Sequence, residues 1–143
     1  MSLETGRYII HNGDKVVSRK RAEDRSLNPK RVFLLDPSAE ETTWIIEKVD
    51  DGKYFLNNRG APTTHIDDHV FAILIHQEDA TKWNIEAVPQ HGEGKFIITT
   101  GDGKGWIAPG NANEQIIYRT LKVGRSEPPT YPSNEIFQIT RLD

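Results

Sequence analysis

Two short patterns recur three times along this chain, and together they limit its fold more than any other feature. The first is glycine, a cation, an aromatic ring and two large apolar residues. It occurs at Gly6-Arg7-Tyr8-Ile9-Ile10, Gly52-Lys53-Tyr54-Phe55-Leu56 and Gly94-Lys95-Phe96-Ile97-Ile98. The second places isoleucine two positions after an aromatic ring, at Trp44-Ile45-Ile46, Trp83-Asn84-Ile85 and Phe137-Gln138-Ile139. A spacing of two is the strand period, so ring and isoleucine share one face. One pattern opens a unit and the other closes it. The units run about 1–50, 51–92 and 93–143 of a single domain.

Each opening run leads into a turn signal: Asn12-Gly13, then Asn57-Asn58-Arg59-Gly60, then Gly101-Asp102-Gly103. Such residues supply the positive φ of tight hairpins. Further β-rich runs follow in every unit, the last of them Gln115-Ile116-Ile117-Tyr118. Four strands in each of three units predict an all-β chain of about twelve strands, and three equivalent units single out the β-trefoil over a sandwich with chance self-similarity. At 143 residues, with 36% hydrophobic residues, the chain is long enough to bury a core without staples. It has no cysteine, which excludes disulfides, thiol catalysis and Cys-based zinc sites.

Catalytic signals are poor, and no enzyme is expected. Gly101-Asp102-Gly103-Lys104-Gly105 lacks the spacing and Lys-Ser/Thr ending of a phosphate loop and reads as a hairpin turn. His65 and His69 flank a turn instead of sharing a helix face, so they read as surface histidines. No metal and no cofactor is expected. Between Lys15 and Arg31 there are seven cations against Glu23 and Asp24. No aromatic lies among them to stack a base, and the whole chain carries a net charge of -3, so no nucleic-acid partner is expected. The N-terminus shows no secretory signal and no apolar run long enough for a membrane span, which suits a cytoplasmic protein with no membrane partner. Nothing demands an oligomer, and a monomer is expected.

Two long loops fall outside the repeat. Arg21 to Pro29 holds Asp24-Arg25-Ser26-Leu27, and Lys122 to Pro132 holds Gly124-Arg125-Ser126; both continue to proline. A long cation on an exposed, proline-braced loop matches what a trypsin-like protease accepts in its specificity pocket. Prolines and arginines also fill ordinary surface loops.

A resemblance adds to this reading. Ala22-Glu23-Asp24-Arg25-Ser26-Leu27-Asn28-Pro29-Lys30-Arg31, Thr43-Trp44-Ile45-Ile46-Glu47, Asn58-Arg59-Gly60-Ala61-Pro62-Thr63, Gly105-Trp106-Ile107-Ala108-Pro109 and Glu127-Pro128-Pro129-Thr130-Tyr131-Pro132 span nearly the whole chain. They resemble the mushroom β-trefoil serine protease inhibitors, the mycospins. The resemblance implies a cytosolic fungal inhibitor of trypsin-like serine proteases that needs no cofactor. Some members use the loop that corresponds to Arg25-Ser26, others the one that corresponds to Arg125-Ser126. Asp24 is a poor neighbour for an active-site cleft and counts against Arg25, and Gly124 and Glu127 count against Arg125; Leu27 and Pro29 tip the reading slightly to Arg25. The alternatives are a cysteine-protease inhibitor of mycocypin type and a carbohydrate-binding lectin. Such lectins usually carry Gln-x-Trp in each unit, and this chain has none.

Overall fold

The repeated ring-and-isoleucine runs form strands, with the period-2 faces turned as their spacing requires. In the computed structural model of the protein, which describes residues 2–142, Trp44 and Ile46 are fully buried while Ile45 between them is 40% exposed. Trp83 with Ile85 and Phe137 with Ile139 are buried in the same way. The strands are β1 (Gly6–Asn12), β2 (Lys15–Arg19), β3 (Lys30–Leu35), β4 (Trp44–Asp50), β5 (Lys53–Asn58), β6 (Ala61–Ile66) and β7 (His69–Ala72). After them come β8 (Trp83–Ala87), β9 (Lys95–Thr99), β10 (Lys104–Ile107), β11 (Glu114–Gln115), β12 (Ile117–Thr120) and β13 (Phe137–Arg141).

The all-β expectation holds, but the β-trefoil of about twelve strands in three equivalent four-strand units does not. Thirteen strands form one sheet, and its antiparallel pairings close through β1–β4–β5–β8–β9–β10–β12–β7–β3–β2 and back to β1. The result is a closed ten-strand barrel with β6, β11 and β13 as extra strands. The residues explain the departure. In the last run, buried Ile116 donates its N–H to the Val32 carbonyl at 2.9 Å and accepts from the Val70 N–H at 3.1 Å. That splits the run, so Glu114-Gln115 pair with β3 and Ile117–Thr120 with β10. Pairing therefore crosses the unit boundaries that the repeat suggests, because a barrel closes its strand edges wherever partners are available.

The core is aromatic and continuous. Trp106 lies 5.5 Å edge-on from Trp83, 5.9 Å from Trp44 and 6.0 Å edge-on from Phe137. Trp44 Nε1 donates to the Val17 carbonyl at 2.7 Å and Trp83 Nε1 to Thr63 Oγ1 at 2.9 Å, so two buried indoles keep a polar partner. The turns behave as read. Gly13, Gly60, Gly101 and Gly103 all take positive φ, and Asp102 Oδ1 accepts from Thr100 Oγ1 and the Lys104 N–H. The glycine-rich run is thus a hairpin that feeds β10. His65 on β6 stacks on Tyr118 with ring centroids 4.0 Å apart, and His69 lies across a turn in which Asp67 and Asp68 have positive φ.

Candidate functional site

The basic segment of the first unit is largely neutralised by its own neighbours. Lys15 pairs with Asp14, Arg19 with Glu23, Arg21 with Glu40 and Lys30 with Asp24. Lys20 sits over the Phe33 ring, 4.4 Å from its centroid. Among the described residues, that leaves Arg25 and Arg31 without a partner. Arg31 is exposed on β3, whereas Arg25 stands on the β2–β3 loop, exposed with Ser26 and Leu27 on its far side.

That loop is braced at three levels. At its base the Arg19 guanidinium, 6% exposed, grips Glu23 with two bonds: Nη2 to Oε1 at 2.6 Å and Nε to Oε2 at 3.1 Å. Its Nη1 donates to the Asn58 carbonyl at 2.8 Å, tying the loop to the end of β5. Arg59, in the left-handed region at φ 50, donates Nη2 to the Lys20 carbonyl at 2.6 Å and lies 3.7 Å from Glu23. Burial, then the neighbouring Arg19 cation, lowers the Arg59 pKa from its ordinary value, with Glu23 opposing. Two guanidiniums thus share one carboxylate.

Directly beside Arg25, Asp24 Oδ1 accepts from Lys30 Nζ at 2.5 Å, Ser26 Oγ at 2.5 Å and the Ser26 N–H at 2.9 Å. Lys30 Nζ, on a buried side chain, also reaches the Asp24 carbonyl and Ser26 Oγ. The Lys30 bond first, and then those from Ser26, hold the Asp24 carboxyl well below the usual carboxylate range. Asp24 is therefore ionised, and its charge is already matched by Lys30. The clasp fixes the residues on both sides of Arg25 and leaves the Arg25 side chain outside it. The loop is thus ordered by its own bonds.

The second loop is also closed at its neck, where the Gly124 N–H donates to the Thr130 carbonyl at 2.7 Å. A Cβ at Gly124 would clash with the Thr130 side chain as it stands. Ser126 Oγ donates to the Pro128 carbonyl at 2.9 Å, and Gln90 Nε2 to that of Pro129 at 2.6 Å. Arg125 and Glu127 are both exposed, and neither has a partner among the described residues. The loop base is held by Glu135, 2% exposed, whose Oε2 accepts from the Lys122 N–H at 2.6 Å. Burial pushes the Glu135 carboxyl up.

The structure does not bring the two arginine loops into one site; their anchoring partners are different. The β2–β3 loop leans on Asn58 and Arg59, the later loop on Gln90, His91 and Glu135. Sequence reasoning did not see the braces. Arg19 and Lys30 read there as members of a basic cluster, and the only signal of their roles is the presence of Glu23 and Asp24 inside it.

Fold and loops together define a loop-presenting scaffold, a rigid barrel with two cation-tipped segments held outside it. The chain belongs to the peptidase inhibitor I66 family, whose family model matches residues 1–141. It is 68% identical to a serine protease inhibitor of Lentinula edodes over 143 residues, 99% of this chain and 100% of that one. Its structure is similar to that of a proteinase inhibitor from Coprinopsis cinerea, with a TM-score of 0.90 and 35% identity over 99% of this chain and 100% of the other. The resemblance to mushroom serine protease inhibitors is thereby shown, and the family is one of inhibitors, not enzymes. The agglutinin of Rhizoctonia solani matches with a TM-score of 0.67 at 15% identity, over 99% of each chain, which is a likeness of fold alone.

Proposed function

We propose that this protein inhibits trypsin-like serine proteases by presenting Arg25 on the β2–β3 loop, with the Arg25-Ser26 bond offered to the protease active site. The observation that carries the reading is the Asp24–Ser26–Lys30 clasp. It rigidifies the backbone on either side of one exposed, unpaired arginine, as a slowly released, substrate-like loop requires. Family membership supports a protease as partner. Arg125 ranks second. Its loop is braced too, but the exposed carboxylate of Glu127 two positions on puts a negative charge beside the specificity cation, whereas the corresponding residue after Arg25 is the apolar Leu27.

Titration of trypsin with the purified protein tests the reading directly. Arg25→Ala is expected to raise the inhibition constant by about three orders of magnitude, since the residue filling the specificity pocket dominates such interfaces. Arg125→Ala is expected to leave it close to the parent value. The reverse pattern transfers the role to the later loop, and a double variant that still inhibits like the parent rejects both loops. We also propose that the protein acts as a monomer, so that one inhibitor titrates one protease.

A further inference from the structure

The loop that carries Arg25 forms one wall of a groove. Leu27, Asn28 and Pro29 line one side; Ile73 to His76, which follow β7, line the other, and the groove encloses about 410 Å³. Two of the five large hydrophobic side chains exposed among the described residues line it, Leu27 at 61% and Ile75 at 49%. The far wall is not slack. The Ile73 N–H donates to the Pro62 carbonyl at 2.8 Å, and the Asp79 N–H to that of His76 at 2.9 Å, so Ile75 is carried between two pinned points. His76 itself takes the left-handed conformation, φ 54, which turns the chain sharply just after Ile75.

A stable protein complex buries about 800 Å² per partner, roughly a tenth of a small protein's surface, and this molecule exposes 7857 Å². One loop is too small for that, so an interface centred on Arg25 must spread onto neighbouring elements. On one flank it would meet Arg21, already paired with Glu40 at 2.9 Å and facing Glu41 at 3.8 Å. Those groups would have to give up water for no new partner. On the other flank it meets the groove, where Leu27 and Ile75 lose nothing when covered, although Thr64, His65 and Asp79 also line it.

Resting on the reading of Arg25 as the specificity residue, we propose that the Leu27–Ile75 groove is a second contact for the same protease. It would receive apolar side chains that flank the leaving-group side of the protease's active-site cleft. Leu27 follows the Arg25-Ser26 bond, so the groove lies on that side of the scissile bond. Ile75 is then a specificity-determining residue that never touches the reacting atoms.

The test measures inhibition of trypsin by the parent, Arg25→Ala, Ile75→Asp and Leu142→Asp proteins, with thermal unfolding of each. Leu142 is a comparably exposed residue, at 44%, by the C-terminal end of the chain and away from the groove. Ile75→Asp is expected to raise the inhibition constant about tenfold or more, mainly through faster dissociation, with unchanged melting; Leu142→Asp should match the parent. If Arg25→Ala abolishes inhibition while Ile75→Asp behaves like the parent, the groove plays no part and the Arg25 reading stands. If Arg25→Ala inhibits like the parent, that reading fails and the groove proposal fails with it.

Discussion

Replacing Arg19 by methionine removes the base of the Arg25 loop while keeping the side-chain volume. Three bonds go: the fork onto Glu23, at 2.6 and 3.1 Å, and the 2.8 Å bond to the Asn58 carbonyl. Arg19 and Glu23 have side-chain exposures of 7% and 18%, so this is an interior pair and not a surface one. Breaking a buried pair by deleting one partner costs about 3–5 kcal/mol. The figure falls here because Arg59, 3.7 Å from Glu23, is relieved of the neighbouring cation that disfavours its charge and can move in. A net loss of about 2–3 kcal/mol remains. For a chain of this size that lowers Tm by about 8–12 °C. Arg19→Lys restores the charge but not the fork and should recover about half of the loss. The assay is thermal unfolding beside trypsin inhibition, in which the methionine variant should weaken about tenfold as loop order is lost, with Arg25 untouched. A Tm within about 2 °C of the parent would refute the claim that this pair anchors the loop.

Glu135 gives a pH signature. Its carboxyl is pushed up by burial, so protonation stabilises the fold, and that stabilisation is lost as pH rises through the raised pKa. Glu135→Gln removes the buried charge and keeps an acceptor for the Lys122 N–H, so its Tm should exceed that of the parent at pH 7. The difference should close toward pH 4, and equal differences at both pH values would contradict the assignment. Gly105→Ala, on β10, would place a Cβ 2.4 Å from the Ile98 carbonyl oxygen. Because that atom belongs to the paired backbone of β9, the strand must shift, at a cost of about 2 kcal/mol or more; an unchanged denaturation midpoint in urea would show that the sheet can yield there.

Gly105 also shows how far the sequence can be read. In the one-dimensional pattern it closes a glycine-rich turn, and Gly101 and Gly103 do serve that turn with positive φ. Gly105 serves something else, the close approach of two strands, and no local pattern distinguishes the two uses. The same division runs through the fold. Trp44 with Ile46, Trp83 with Ile85 and Phe137 with Ile139 were legible because alternation is a property of neighbours in the chain. The closure of the barrel was not, because it depends on pairings such as β12–β7 and β7–β3, between residues far apart in sequence. Periodicity predicts faces; it does not predict which edges meet.

The candidate site divides in the same way. Arg25 could be singled out as a cation on a long loop ending in proline, but so could Arg125, and in the sequence only the neighbours Leu27, Pro29, Gly124 and Glu127 tip the balance to Arg25. What separates them is where the adjacent charges go. Asp24, though exposed, is bonded to a buried Lys30 and to Ser26, whereas Glu127 has no partner among the described residues. The carboxylate one residue from Arg25 reads as an unmatched charge in the sequence and is a brace in the structure, and the difference lies in a lysine six positions away whose burial no motif announces. For that reason the basic cluster from Lys15 to Arg31 reads in one dimension as a field of like charges. In three dimensions, Lys15, Arg19, Arg21 and Lys30 are spent on carboxylates, Lys20 lies over Phe33, and Arg25 stays exposed on the loop with no partner among the described residues.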